Sequence, residues 1–196
     1  MNPWIAAGAV LLLIFYIIAI YNKLIALRIG YGNAFAQVDI QLKRRYDLIP
    51  NLVETVRAYM KHERETLEGV VLARNRALSA AQTAAQNPGD PASMQRLASA
   101  EATLASGLGR LLSLTEAYPD LKASTNMSEL AEELTSTENK VAFARQAYND
   151  AVAKYNTQRS VFPSVVIANL FGFVAATLLE AIEAHDQRVA PKVAFS

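Results

Sequence analysis

His62-Glu63-Arg64-Glu65-Thr66 opens like the His-Glu-x-x-His helix of a zinc protease, in which two imidazoles one turn apart hold the metal and the Glu serves as base. Thr66 stands where the second imidazole is needed, so that chemistry is excluded here. One other histidine exists, His185, and two imidazoles cannot build a three-His site. A di-iron bundle needs Glu-x-x-His, whereas Tyr59 precedes His62 and Ile182 precedes His185 at that spacing. The chain has no Cys, which removes thiol catalysis, thiolate metal sites and disulfides. Gly30-Tyr31-Gly32 lacks both a preceding strand and the third glycine of a dinucleotide loop. Ser and Thr abound, but no His is placed to activate one as a nucleophile. Asn126-Met127-Ser128 matches a glycosylation sequon, a three-residue pattern short enough to arise by chance. The expectation is a protein that is not an enzyme, with no catalytic, cofactor-binding or metal-ligating residue and no cofactor.

The polar residues that do stand out sit on apolar helix faces. Leu24, Leu27, Tyr31, Ala34, Val38, Leu42, Arg45 and Ile49 recur at three- and four-residue steps, which predicts one amphipathic helix with a kink or short break at Pro50. From Pro50 the pattern restarts as Val53, Val56, Met60, Glu63, Leu67, Val70, Arg74, Ala77 and Ala81, predicting a second helix over 50–86 about 55 Å long. It ends at the loop Asn87-Pro88-Gly89-Asp90-Pro91. A third helix carries Met94, Leu97, Glu101, Leu104, Leu108, Leu111, Thr115 and Tyr118 and stops at Pro119. Asn126 with Glu129 resembles a capping box that opens a fourth helix. Leu130, Leu134, Thr137, Val141, Ala144, Tyr148, Ala151 and Tyr155 then alternate steps of four and three, the period of coiled-coil packing.

Arg45, Glu63, Arg74 and Glu101 occupy seam positions where apolar side chains belong, so they are the candidate polar seam. Either they snorkel to water from the seam edge, or they pair inside it. Antiparallel geometry about the Gly89 loop favours Arg74 with Glu101, a pair that would set register between Ala- and Leu-rich helices.

What must position this seam begins at the membrane. Trp4 to Tyr21 is a run of 18 uncharged, almost wholly apolar residues, about 27 Å as a helix and close to the hydrocarbon thickness of a bilayer. Trp4 at one end and Tyr16 and Tyr21 towards the other suit interfacial aromatic belts. A cleaved leader would carry a charged start, a shorter apolar run and a small-residue cleavage site, so an uncleaved anchor is expected. Lys23, Arg28, Lys43, Arg44 and Arg45 follow it against the single acid Asp39, which predicts the N-terminus outside and the bulk in the cytoplasm.

Composition agrees with this division. The 196 residues carry a net charge of +1, which gives no global basic field and argues against nucleic acid as a partner. Eight Gly and seven Pro leave few turns, and no segment alternates with the period of a strand. The expected fold is all-α, an elongated antiparallel helical bundle with an N-terminal transmembrane helix. The expected divisions are an anchor at 1–22, a long-helix bundle at 23–160, and an apolar C-terminal segment and tail at 161–196.

Between Arg159 and Glu180 lie 20 uncharged residues, interrupted by Pro163, Asn169 and Gly172 and therefore a poor second span. They should cap the bundle, lie in the membrane interface or form a subunit contact, with Phe162, Val166, Ile167, Leu170, Phe171 and Phe173 as the candidate oligomer or lipid contacts. Residues 180–196 read as a short amphipathic helix and a loose end.

Asp39-Ile40-Gln41-Leu42-Lys43-Arg44-Arg45-Tyr46-Asp47-Leu48-Ile49-Pro50-Asn51-Leu52-Val53-Glu54 resembles the signature segment of the LemA family. The run from Glu133-Leu134-Thr135 to Gln146-Ala147-Tyr148-Asn149-Asp150 is similar too, as are Glu116-Ala117-Tyr118-Pro119-Asp120-Leu121, Phe162-Pro163-Ser164 and Leu170-Phe171-Gly172-Phe173. Together they cover about residues 22–173. The resemblance, to a family that includes magnetosome proteins of the MamQ kind, implies an inner-membrane bacterial protein with an N-terminal anchor and a helical bundle. It implies no enzymatic activity, and associates such chains with envelope stress and with HtpX-type membrane proteases. A membrane-anchored scaffold that forms a homo-oligomer is the expectation, with a membrane-shaping protein or a protease accessory subunit as alternatives.

Overall fold

In the computed structural model, residues 3–60 and 63–180 are described; His62, His185 and the predicted tail helix fall outside them. The described residues form six helices: α1 Pro3–Tyr59, α2 Arg64–Gln86, α3 Pro91–Thr115, α4 Pro119–Lys122, α5 Thr125–Ser160 and α6 Ser164–Leu170. An irregular strap, 173–180, follows α6. No strand occurs among the described residues, so the fold is all-α as expected.

α1 has two lives. Its N-terminal part is exposed along almost its whole length, from Trp4 at 84% to Ile18 at 48%, and is long and apolar enough to cross a membrane. From Ile20 and Leu24 onward the same helix becomes the central element of the bundle, burying Tyr31, Phe35, Val38, Leu42, Tyr46, Ile49, Val53 and Val56. The predicted break at Pro50 does not occur. α1 is one helix of 57 residues, about 85 Å, and the second helix starts at Arg64 instead of Pro50.

Paired contacts fix the topology. Phe35 packs edge-on against Tyr148 at 5.4 Å and Tyr31 against Tyr155 at 5.2 Å, so α5 runs antiparallel to α1. Arg44 meets Glu133 at 3.3 Å further along, in the same sense. α2 returns beside α1, and α3 turns back through the loop at 87–90, whose Gly89 lies against Tyr31. α1 packs chiefly on α5 and then on α2, and α2 on α3, while α3 and α5 scarcely touch. The strap lies in the opening between them, its Thr177 amide bonded to the Gly89 carbonyl at 2.9 Å.

Local chemistry explains most boundaries. Asp90 caps α3, its carboxylate accepting from the Ser93 amide at 2.9 Å and the Ser93 hydroxyl at 2.8 Å, with Pro91 in the first turn. These bonds hold the Asp90 carboxyl below its ordinary value. The predicted Asn126–Glu129 box does not form: α5 already begins at Thr125, and its N-cap, Ser124, makes no side-chain bond. Pro119 opens α4 and does not end α3, which stops at Thr115. α6 ends in a Schellman turn in which Gly172, at φ +70°, lets the Phe173 amide reach the Ala168 carbonyl at 2.9 Å.

Candidate functional site

Three helices converge on one polar node. Arg45, on the buried face of α1, donates to Glu101 Oε2 of α3 at 2.5 Å, and the Tyr46 hydroxyl donates to Glu101 Oε1, also at 2.5 Å. The Arg45 side chain is 5% exposed and that of Glu101 18%. Burial and the adjoining Glu101 carboxylate push the Tyr46 phenol far above its ordinary range, so it stays a donor. A cavity of about 120 Å³ adjoins the pair, lined by Val38, Leu42, Ala98, Ala102, Val141 and Arg145 among others. Arg45 also lines the cavity; its Nε, and the Oε1 of Gln41 one turn earlier on α1, are buried without a hydrogen-bond partner among the described residues.

The third helix enters through Arg74. Its Nε donates to the backbone carbonyl of Tyr46 at 3.0 Å, and its guanidinium lies 3.7 Å from Asp47. That carbonyl is the one Pro50 would have bonded had it an N–H, because helical bonds run from residue i to i−4. Arg74 therefore replaces the bond that proline removes, and α1 continues through Pro50.

This corrects the expected pairing. Arg45, not Arg74, is the partner of Glu101, because α1 lies between α2 and α5 and presents Arg45 and Tyr46 to α3. Glu63 takes no part; it is the half-buried N-cap residue of α2, with no side-chain cap bond. Within the described residues no group of three or more His, Cys, Asp or Glu could hold a metal ion.

A second constellation holds the strap, and the sequence pattern above did not expose it. Asn156 bonds both polar groups of Ala176, accepting from its amide at 3.0 Å and donating to its carbonyl at 2.8 Å. Asn149 does the same to Leu179, at 2.9 and 3.2 Å. Tyr155 and Tyr148 hydroxyls donate to the carbonyls of Val174 and Thr177, each at 2.8 Å. The signal is a Tyr-Asn dipeptide repeated seven residues apart: about 10 Å along a helix matches three residues of extended chain. Each Tyr ring lies in the core stripe while its hydroxyl and the neighbouring Asn hold the strap, so a search for apolar periodicity sees only the tyrosines.

The structure divides the six apolar C-terminal candidates. Ile167 and Phe173 are buried in the chain's own core, at 7% and 5% exposed, so they are not free contacts. Phe162, Val166, Leu170 and Phe171 remain exposed. Phe171 and Phe173 meet Tyr21 edge-on at 5.0 and 5.5 Å, which ties α6 and the strap's start to the point where α1 leaves its apolar run.

Fold and site together define a class of protein: a helical bundle grown directly on an apolar N-terminal helix, with a polar node joining three of its helices. The chain belongs to the LemA family, which it matches over residues 34–195. Among its relatives, it is 23% identical over 181 residues to Magnetosome protein MamQ 2 and to MamQ 1 of Paramagnetospirillum magneticum, covering 85% of this chain and 66% of each relative. It is 27% identical over 85 residues to Magnetosome protein MamQ of Magnetospirillum gryphiswaldense, covering 43% of this chain and 31% of that relative. The chain thus spans just under two thirds of the length of the first two. The segments that carry the family resemblance hold the node residues Arg45, Tyr46 and Pro50, the strap-binding Tyr148 and Asn149, and the two end residues of α6, Ser164 and Leu170.

Proposed function

We propose that the protein is a non-enzymatic, membrane-anchored scaffold or adaptor that assembles with copies of itself at the bacterial inner membrane. The observation that carries this is the continuity of α1: the exposed apolar segment and the central core helix are one element without a hinge. A bundle held this way keeps a fixed attitude to the bilayer, and confinement raises the local concentration of its neighbours, so weak lateral contacts suffice for assembly. Phe143 on α5 and Ile40 on α1, 73% and 54% exposed, offer such a lateral contact. A closed ring is the simplest assembly, because repeated head-to-tail contacts that fail to close grow into filaments. The cations after the span favour a cytoplasmic bundle with the N-terminus outside. An HtpX-type membrane protease is the partner that the family resemblance brings, with envelope maintenance or stress as the setting.

Because the chain has no Cys, single introduced cysteines report cleanly. Phe143→Cys in native membranes should give a ladder of dimers and higher species with a short bismaleimide. Monomer alone, at native expression, overturns the assembly. Asn87→Cys should resist an impermeant thiol reagent in intact cells, and its labelling overturns the cytoplasmic placement.

A further inference from the structure

The largest cluster of uncovered apolar side chains outside the anchor gathers at one end of the bundle. Phe162 is 83% exposed, Val174 75%, Leu170 74%, Val166 55% and Phe171 52%, all within one stretch of chain. Their height is set by contacts: Phe171 lies on Tyr21, the last residue of the apolar run, and α5 descends past Tyr31 to deliver them. The hairpin of α2 and α3 ends at the level of Tyr31, about 15 Å further from the bilayer; its loop borders Val174 but leaves Phe162, Val166, Leu170 and Phe171 uncovered.

Charge points the same way. Around this end stand Lys23, Arg28 and Arg159, with Asp90 of the hairpin loop lining the same pocket as Arg28, and no acid lies between Arg159 and Glu180 in the chain. The segment is also finished as an interfacial element should be. The Schellman turn at Gly172 closes α6, and Arg159 Nε donates to the Phe173 carbonyl at 2.7 Å, so apolar side chains are presented with few free backbone groups.

We infer that residues 161–174 form a second membrane contact, a collar seated in the headgroup–acyl boundary around the point where α1 enters the bilayer. Phe162, Val166, Leu170 and Phe171 enter lipid, and Lys23, Arg28 and Arg159 face anionic headgroups. A second copy of the chain is the other candidate occupant. Lipid is favoured because the patch continues the apolar surface of α1 at the depth where that surface ends. The inference rests on the anchoring proposed above and adds to it a two-point attachment, which prevents the bundle from swivelling about α1.

The test uses the full chain in phosphatidylcholine–phosphatidylglycerol vesicles, with an environment-sensitive fluorophore on single cysteines and spin-labelled lipids as quenchers. Ile14→Cys reports the anchor, Phe162→Cys and Leu170→Cys the collar, and Asp120→Cys the far end of the bundle. The replaced side chains at 162 and 170 are exposed, so these variants keep the fold. The expected result is loss of most emission at 14, 162 and 170, with the shallow label more effective at the last two, and no loss at 120. Quenching at 14 without quenching at 162 and 170 overturns the collar and leaves the anchor standing. A blue shift at 162 or 170 without lipid quenching places these residues against another copy and also overturns it. An unquenched position 14 overturns the anchoring, and the collar with it.

Discussion

Truncating Glu101 to alanine strands two buried donors at once. Arg45 loses the carboxylate that neutralises a guanidinium only 5% exposed, and the Tyr46 hydroxyl loses its acceptor. Breaking a buried ion pair from one side costs about 3–5 kcal/mol. Glu101 is itself 18% exposed and borders a cavity, so solvent moderates the loss, and about 3 kcal/mol is the better figure for the pair. The stranded hydroxyl adds about 1 kcal/mol, for a total near 4. The triple replacement Arg45→Met/Tyr46→Phe/Glu101→Leu removes all three polar partners together and should stay within about 2 kcal/mol of the parent. Urea unfolding of the full chain in detergent, followed by circular dichroism, gives the differences provided that the slopes agree. A cost below about 1 kcal/mol for Glu101→Ala, or no coupling in a cycle between positions 45 and 101, would mean that the pair behaves as a surface contact and that the node does not organise the bundle.

Other outcomes follow from the strap and its surroundings. Asn149→Ala and Asn156→Ala should each cost about 1–2 kcal/mol and speed hydrogen exchange at Leu179 and Ala176 respectively; unchanged exchange refutes the clamp. Gly89→Ala should destabilise by about 1–3 kcal/mol, since its φ of +88° is unfavourable for alanine and a Cβ would stand 2.8 Å from that of Ala176; a neutral melting shift refutes the close approach. Burial raises the phenols of Tyr46, Tyr148 and Tyr155 above the ordinary 10.0. Above about pH 10 the folded chain keeps protons that the unfolded chain has released, so stability is complete below that value and falls as pH rises further. Phenolate absorbance should therefore show these three titrating late, together with loss of helix, and early non-cooperative titration refutes their burial.

The helices were legible because their burial is periodic. Leu134, Thr137, Val141, Tyr148 and Tyr155 fall on the predicted stripe of α5 and are all buried, and the same holds for Met94, Leu97, Leu104, Leu108 and Leu111 of α3. The loop at 87–90 was legible for an equally local reason, its turn residues. Partners were not. A helical stripe fixes which face is buried but not which neighbouring helix it meets, and matching distances of Arg74 and Glu101 from Gly89 do not decide that Arg45 is the partner. The strap was hidden for another reason. It is held by side chains bonding to its backbone, and its own sequence, Phe173 to Glu180, needs only to be apolar and unobstructive.

Pro50 shows how a local rule can be satisfied and still mislead. Its ring removes an N–H, and an orphaned buried carbonyl in a helix costs free energy, so a break is the cheapest local answer. A long-range donor changes that answer: Arg74, 28 residues from Tyr46, supplies the missing bond at 3.0 Å. The account makes a conditional forecast. Arg74→Met should cost about 1–3 kcal/mol in the parent, because the Tyr46 carbonyl is then left unsatisfied. In a Pro50→Ala background the alanine N–H can make the bond itself, so the same change should cost less than about 0.5 kcal/mol beyond the weak contact with Asp47. The coupling between positions 50 and 74 should therefore exceed about 1 kcal/mol, while that between 74 and 101 should be near zero. Equal costs in both backgrounds would show that Arg74 acts through Asp47 alone, and the continuity of α1 across Pro50 would need another cause.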